Sequence, residues 1–262
     1  MHMTPPPQAS VLIVGHGSSR NPRAVVSAEQ HADRLRATGR FARVASAHLK
    51  GGRVPAEALR ALPDGDLFVV PLFMSDGYFT QTAIPATLGL TGRITQADGR
   101  RLFYCDPVGI DPRIADIVAD DVLSIARREA IDPAGLDLLL IGHGSPSNPA
   151  SRAATLAHAR RLEALGRFGT IDCAFLDEEP TVEIWFDRLK PIGAPLAVAG
   201  LFAADGMHAS TDVPSVLADW QEEAQAAAAG ARRVWYAGAV GSRPAVTDLI
   251  LNAIDAAAAL AE

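Results

Sequence analysis

Short apolar runs alternate with longer amphipathic stretches along the whole chain of 262 residues. The runs lack polar alternation, which is typical of strands covered on both faces in a parallel sheet. They predict strands at 11–14, 42–47, 67–70, 102–105, 138–141, 170–175, 196–199 and 234–236. Helices are predicted near 23–38, 54–62, 80–89, 112–129, 149–165, 181–190, 213–229 and 243–260. This alternation predicts right-handed crossovers and a doubly wound α/β module with a parallel sheet in each half.

The second half of the chain repeats the first. VLIVGHGSSRNP at 11–22 aligns without a gap to LLLIGHGSPSNP at 138–149. Two further pairs follow in the same order, 70–85 with 199–214 and, more weakly, 106–118 with 238–250. Three blocks in one order indicate a tandem duplication. The sequence therefore predicts two pseudo-twofold-related modules with a cleft between them, 1–130 and 131–262, divided near the helix-breaking DPAG at 132–135.

Composition and charge narrow the function classes. A hydrophobic content of 48% with 21% charged residues is typical of a globular protein, and the net charge of −6 argues against nucleic acid as a partner. Cys105 and Cys173 lie far apart, which excludes a disulfide scaffold and a thiolate zinc site. Residues 1–10 show no secretory signal, and no apolar run approaches the ~18 residues that span a membrane. We expect a cytoplasmic protein without a membrane partner.

Each module carries a GHGS element directly after its first strand, where doubly wound sheets bind ligands. This places His16 and His143 at the carboxyl edges of the two predicted sheets. A structural turn with a backbone-bonded histidine is one interpretation, and an anion-binding turn at a helix N-terminus is another. GxGxxG and GxxxxGK[ST] are both absent, which argues against a nucleotide site. GHGS also departs from the GxSxG elbow, so Ser145 is not expected to be an acyl-transfer nucleophile.

The loops after the second and third strands differ between the copies. The segment DGMH, which ends at His208, aligns with DGYF, which ends at Phe79. The segment AFLDEEP at 174–180 corresponds to a region of the first copy that contains Lys50 and no acidic residue. The second module therefore combines His143, His208 and nearby carboxylates. Two imidazoles with a carboxylate suit a divalent first-row metal and supply bases for a weak N–H acid. A solvated acidic loop remains the alternative interpretation of the carboxylates.

These residues resemble the class II tetrapyrrole chelatases, specifically the CbiX/SirB-type sirohydrochlorin chelatases in their long, duplicated form. The resemblance is carried by Gly142–Ser145, by Phe175–Pro180 with its FL(D/E)…EP pattern, and by Leu201–Pro214 with LF…G-x-H…D-(V/I)-P. It covers about residues 10–260. It implies a lyase that inserts Co2+ or Fe2+ into sirohydrochlorin on the way to cobalamin or sirohaem. The metal is then a substrate, and no tightly bound cofactor is implied.

The resemblance also implies roles for particular residues. His143 and His208 match the paired metal-handling histidines, and Glu179 is the closest match to the family's catalytic acid. This segment is one residue shorter than the usual pattern, so Asp177 or Glu178 is an alternative acid.

Sirohydrochlorin carries eight carboxylates, which implies contacts from arginine side chains in the cleft between the modules. Candidate contacts are Arg20, Arg23, Arg152 and Ser145, although ordinary solvated arginines at helix starts fit the same positions. With two fused modules, the chain is expected to act as a monomer or a homodimer.

One departure from the family pattern concerns Phe79, which replaces a histidine that long members often keep in the first half. The related anaerobic cobaltochelatases use second-half residues, so the site is expected in the second module and the natural metal stays open. Two rival functions remain. One is a non-catalytic metal or tetrapyrrole binder on the same scaffold. The other is a hydrolase or phosphate-binding transferase that uses GHGS as an anion turn.

Overall fold

The computed structural model describes residues 8–97, 99–227 and 229–261. Residues 1–7, within the stretch expected to lack a secretory signal, lie outside the described residues. The described chain forms two compact units. Unit 1 comprises residues up to Asp111 together with the segment from Gly241 onward, and unit 2 comprises Pro112–Val240.

Unit 1 contains a five-stranded sheet in its described residues. Its strands are β1 (Ser10–Gly17), β2 (Arg43–Lys50), β3 (Asp66–Pro71), β4 (Ile94–Ala97) and β5 (Arg100–Tyr104). Its helices are α1 (Val26–Ala37), α2 (Pro55–Arg60), α3 (Ile84–Leu88) and α8 (Val246–Ala258). The strand order is β2-β1-β3-β5-β4, and every pair is parallel except β4 with β5.

The sheet of unit 1 is covered on both faces. Leu12 and Val14 pack with residues of α2 and α3 in one apolar cluster. Val11 and Ile13 alternate with them along β1, so they point to the opposite face, and they are fully buried as well. This two-sided burial explains why the strand sequences are almost continuously apolar.

Unit 2 contains a four-stranded parallel sheet in its described residues, in the order β7-β6-β8-β9. Its strands are β6 (Asp137–Gly142), β7 (Ile171–Phe175), β8 (Leu196–Gly200) and β9 (Val234–Ala239). Its helices are α4 (Ile114–Glu129), α5 (Ala150–Leu165), α6 (Val182–Arg188) and α7 (Val213–Ala227). Residues of α6 and α7, among them Phe186 and Trp220, join Leu139 and Ile141 of β6 in one apolar cluster. The parallel sheets with helices on both faces confirm the predicted fold class of two doubly wound α/β modules.

The structural units differ from the predicted modules 1–130 and 131–262 by an exchange of their last helices. Helix α4 belongs by sequence to the first copy, yet it packs in unit 2 against α5, β8 and β9. Helix α8 belongs to the second copy, yet it packs in unit 1 against α1, β3 and β5. Both helices carry an apolar face that any equivalent sheet would accept. The hydrophobic pattern therefore predicts the helices without specifying which sheet each one covers.

A buried histidine holds the end of the chain in unit 1. His31 of α1 is fully buried, with its Nδ1 2.9 Å from the hydroxyl of Thr247 and its Nε2 2.8 Å from the carbonyl oxygen of Gly241. At the far end of α8, Arg40 pairs with Asp255 at 2.8 Å. These polar contacts add directional specificity to the apolar docking of α8.

Strand β4 was not among the predicted strands. Its sequence ITQA is short and only its Thr95 is buried, so it lacks the apolar run that marks the other strands. Among the described residues, the helices include none that combines the length and apolarity needed to span a membrane.

The stability of unit 1 should depend on pH through two buried histidines. Burial lowers the pKa of His31 and of His48 below the ordinary histidine value. Below about pH 6.5 the unfolded chain therefore binds protons that the folded chain does not, and stability is lost as the pH falls. We expect the free energy of unfolding to decrease between about pH 7 and about pH 5, by at most about 1.4 kcal/mol per pH unit for each proton. Urea unfolding at several pH values measures this slope.

The control for this prediction is the variant His31→Asn with His48→Asn. It should be less stable at neutral pH and should show a flatter dependence on pH. An unchanged slope in the double variant would show that other groups carry the acid sensitivity.

Candidate functional site

The candidate site lies at the carboxyl edge of the sheet in unit 2. Strand β6 lies between β7 and β8, so the loops that follow these three strands leave the same edge. The backbone pairing continues beyond the end of β7, where the N–H groups of Leu176 and Asp177 donate to the carbonyl of His143 at 3.1 and 3.0 Å. The acidic loop is thereby fixed beside the GHGS turn.

Both glycines of the GHG element are required by the local geometry. A Cβ on Gly142 would lie 2.2 Å from the hydroxyl oxygen of Thr155, because α5 packs closely on β6. Gly144 has a φ of +73°, and a Cβ there would lie 2.7 Å from Cγ of Glu178. The turn therefore leaves His143 half-exposed at the sheet edge with little freedom in its backbone.

The structure brings His143 and His208 together. Their ring centroids lie 5.3 Å apart with an interplanar angle of 84°. His208 begins a π-helical turn, His208–Asp212, that leads directly into α7. The side chains of the two histidines are 52% and 46% exposed, which leaves both rings accessible to a ligand from solvent.

A carboxylate lies against each histidine. Nδ1 of His208 lies 2.7 Å from Oδ2 of Asp212. Nδ1 of His143 lies 3.1 Å from Oδ2 of Asp177 and 3.3 Å from the carbonyl oxygen of Gly144. Carbonyl and carboxylate oxygens only accept, so Nδ1 of each neutral ring carries the proton. The lone pair of each ring then resides on Nε2, the nitrogen that binds a metal or takes up a proton.

The three acids of the loop have different surroundings. Asp177 is the one that contacts a histidine. Glu178 is largely buried, and its carboxylate lies 3.3 Å from Nη1 of Arg152. Glu179 is exposed, and Arg152 donates to its backbone carbonyl at 2.8 Å. Among the described residues, no hydrogen bond or ion pair engages the carboxylate of Glu179.

The predicted substrate-contact residues lie in different places. Arg152 also stacks over the ring of Phe175, with its Cζ 4.7 Å from the centroid, so it braces the acidic loop. Ser145 lies at the site, with its hydroxyl 3.2 Å from that of Ser147. Arg20 is exposed and belongs to unit 1.

Unit 1 repeats the backbone of the site with different side chains. His16 lies near the end of β1, and its ring centroid lies 4.8 Å from that of Phe79 in an edge-to-face arrangement. Phe79 begins a π-helical turn, Phe79–Ala83, that is equivalent to the one in unit 2. Lys50 pairs in register with Gly17, at the position that Asp177 holds in unit 2. The two-imidazole arrangement is therefore confined to unit 2 within these equivalent positions.

Over residues 8–97, 99–227 and 229–261, no group of three or more His, Cys, Asp or Glu side chains is arranged to hold a metal ion. What the site offers is two imidazoles, each with its own carboxylate. Asp212 is the aspartate of the D-(V/I)-P pattern in the Leu201–Pro214 block, but no role was predicted for it from the sequence. Its signal there is the spacing of four residues from His208, together with the change to Ala83 in the first copy.

Comparisons with known proteins agree with this architecture. A probable sirohydrochlorin cobaltochelatase from Halobacterium salinarum is 32% identical over 271 aligned positions, covering 95% of this chain and 92% of that protein. The structure of DR2241 from Deinococcus radiodurans, described as a multi-domain protein with similarity to chelatases, has a TM-score of 0.77 and 28% identity. The match covers 94% of this chain but only 54% of the DR2241 chain.

A third comparison covers both chains almost completely. The structure of CbiX, described as the terminal enzyme for biosynthesis of siroheme in denitrifying bacteria, has a TM-score of 0.68 and 26% identity over 94% of this chain and 98% of that one. The sequence model of the CbiX family matches residues 10–124 and again 137–257, one match for each copy of the repeat. With both copies matched along most of their length, this chain belongs to the CbiX family.

Proposed function

We propose that this protein is a sirohydrochlorin chelatase, a lyase that inserts a divalent metal into the macrocycle at the histidine pair of unit 2. The observation that carries the proposal is the pair itself, His143 and His208, with ring centroids 5.3 Å apart and Nδ1 of each ring held by an acceptor. Membership of the CbiX family and the name of the Halobacterium salinarum relative, a probable sirohydrochlorin cobaltochelatase, support the substrate class.

The chemistry that the site must perform is a proton–metal exchange. Two pyrrole N–H protons leave the macrocycle as one divalent ion binds its four nitrogens, so charge and protons balance without a redox step. The Nε2 lone pairs of His143 and His208 suit both halves of this exchange, since a neutral imidazole nitrogen can bind a first-row metal or accept a proton. Their partial exposure allows the same nitrogens to take up a metal ion from solvent.

Asp177 is the acid that the geometry favours. Its contact with His143 would stabilise the imidazolium that forms when that ring takes a pyrrole proton, in the way that a carboxylate supports a catalytic histidine. Glu178 already has Arg152 as its partner. Glu179, the acid that the family pattern favours, remains a second candidate because its carboxylate is exposed and close in sequence.

We propose Co2+ or Fe2+ as the substrate metal, with no tightly bound cofactor. The Halobacterium salinarum relative is named as a cobaltochelatase. The CbiX structure is described as an enzyme for the biosynthesis of siroheme, and siroheme contains iron. Two imidazole ligands do not favour one of these ions over the other, because Co2+ and Fe2+ both bind nitrogen ligands. Cobalt is the first metal to test, since that relative has the higher sequence identity, 32% against 26%.

Replacing either histidine of the pair should abolish most of the insertion activity. We expect His143→Ala and His208→Ala each to lower the rate by about 100-fold or more, the usual effect of losing a group that transfers protons or holds the reacting metal. The rate is followed as the change in visible absorption when purified protein is mixed with sirohydrochlorin and Co2+ or Fe2+.

The matched control is His16→Ala, which removes the equivalent histidine of unit 1 and should leave the rate within about twofold of the wild type. Loss of activity in this variant alone would move the site to the other unit. Binding of sirohydrochlorin without any acceleration over the protein-free reaction would favour the non-catalytic binder. A hydrolase that uses the GHGS turn should instead depend on Ser145.

The same assay should distinguish Asp177 from Glu179 by the insertion rates of their variants. We expect Asp177→Asn to lower the rate by about 10- to 100-fold, because His143 loses the group that stabilises its charged form. Glu179→Gln should change the rate by less than about threefold, since its carboxylate has no partner among the described residues at the histidine pair. The reverse order would identify Glu179 as the functional acid and give Asp177 a minor role.

A further inference from the structure

Asp212 is placed where it acts directly on His208. It ends the π-helical turn that His208 begins, and its Oδ2 lies 2.7 Å from Nδ1 of the imidazole. The two side chains are 43% and 46% exposed. A contact this short between a ring N–H and a carboxylate is at the strong end of the range for charge-assisted hydrogen bonds.

The backbone does not require this carboxylate. Unit 1 forms the same π-helical turn at Phe79–Ala83 and continues it into a helix in the same way. The residue equivalent to Asp212 there is Ala83. The π-helical turn runs directly into α7, where the N–H of Val213 donates to the carbonyl of His208, so the helix does not begin anew at Asp212. In unit 1 the histidine and the aspartate are both missing, so the two residues occur together as a pair.

The two histidines of the site differ in how firmly Nδ1 is held. His143 has two acceptors beside Nδ1, Asp177 and the carbonyl oxygen of Gly144, and the second belongs to the backbone. For His208, Asp212 is the one acceptor that bonds Nδ1 in the described part of the chain. Without that carboxylate, no hydrogen bond to Nδ1 would select which nitrogen of His208 carries the proton, and only ring contacts with His143 and Phe202 would orient the imidazole.

We propose that Asp212 is a positioning residue that holds His208 in the Nδ1–H tautomer and fixes the direction of its Nε2 lone pair toward the incoming metal. The inference rests on the proposed function and adds to it a residue that makes no contact with metal or macrocycle itself. Carboxylates that bind the second nitrogen of a metal-ligating histidine act in this way, and their removal weakens metal affinity by about 10- to 100-fold.

The first test measures Co2+ binding to the purified full-length protein, by titration followed through the visible absorption of the bound ion. We expect Asp212→Ala to weaken Co2+ binding by about 10- to 100-fold, and Asp212→Glu to recover part of that loss because the longer side chain still reaches one helical turn. The control is Asp219→Asn, which removes an exposed negative charge from the following helix and should leave affinity unchanged. Affinity within about twofold of wild type for Asp212→Ala would overturn the proposal.

A second test is read on the wild-type protein, and a variant serves only to assign the signals. Long-range 1H–15N correlation spectra of 15N-histidine-labelled wild-type protein at alkaline pH report which ring nitrogen carries the proton. The signals of His208 are assigned by their loss in His208→Ala. We expect the Nδ1–H tautomer for His208, and finding the proton on Nε2 would overturn the proposal.

The two proposals fail in different ways. If His143→Ala and His208→Ala bind Co2+ as tightly as the wild type and no insertion occurs, the proposed function itself is wrong. If both histidine variants lose Co2+ binding while Asp212→Ala keeps it, the chelatase site stands and only the role of Asp212 is wrong.

Discussion

The parallel pairing of β6 with β7 and β8 determines where every side chain of the candidate site lies. Parallel strands deliver their following loops to one edge, so His143, Asp177 and His208 converge although they are up to 65 positions apart in the sequence. The hydrogen bonds from Leu176 and Asp177 to the carbonyl of His143 extend this pairing into the loops. Each such bond contributes only about 1 kcal/mol to stability, yet together they set the position of the acidic loop to within bonding distance of the imidazole.

Much of this arrangement could be predicted from the sequence, because its signals are local or repeated. Continuous apolar runs identify buried parallel strands, and the GHGS elements follow them at the ligand-binding edge. The duplicated blocks reveal that His208 has no counterpart, since Phe79 stands in its column. Other features have no local signal. Strand β4 lacks an apolar run. Helices α4 and α8 each have an apolar face that could pack on either sheet, so their sequences do not indicate that they are exchanged between the units.

The sequence also does not indicate which of the three consecutive acids contacts His143. Asp177, Glu178 and Glu179 are consecutive, and one residue of register decides which carboxylate faces the histidine. The extended pairing of β6 and β7 settles that register in the structure, and the guanidinium of Arg152 takes up Glu178. Contacts of this kind depend on distances between separate loops, which composition and periodicity do not encode.

The two units show how one backbone supports different electrostatics. Unit 2 places carboxylates beside its two imidazoles, an environment that attracts a divalent cation. Unit 1 places Lys50 at the position of Asp177 and an aromatic ring at the position of His208, so the same edge offers a positive charge and an apolar face. Both copies therefore share the turn and the π-helical segment, while at these equivalent positions the pair of imidazoles is present in unit 2 alone.

The exchanged helices bear on the order in which the chain folds as it is synthesised. Unit 2 is one continuous segment, Pro112–Val240, and all of it has been translated before the last 22 residues appear. Unit 1 needs those residues, because α8 covers one face of its sheet and completes the bonds of His31. The strands of unit 1 thus precede unit 2 in synthesis, yet α8 can cover their sheet only after unit 2 has been translated, and apolar surface that stays exposed in this interval favours aggregation.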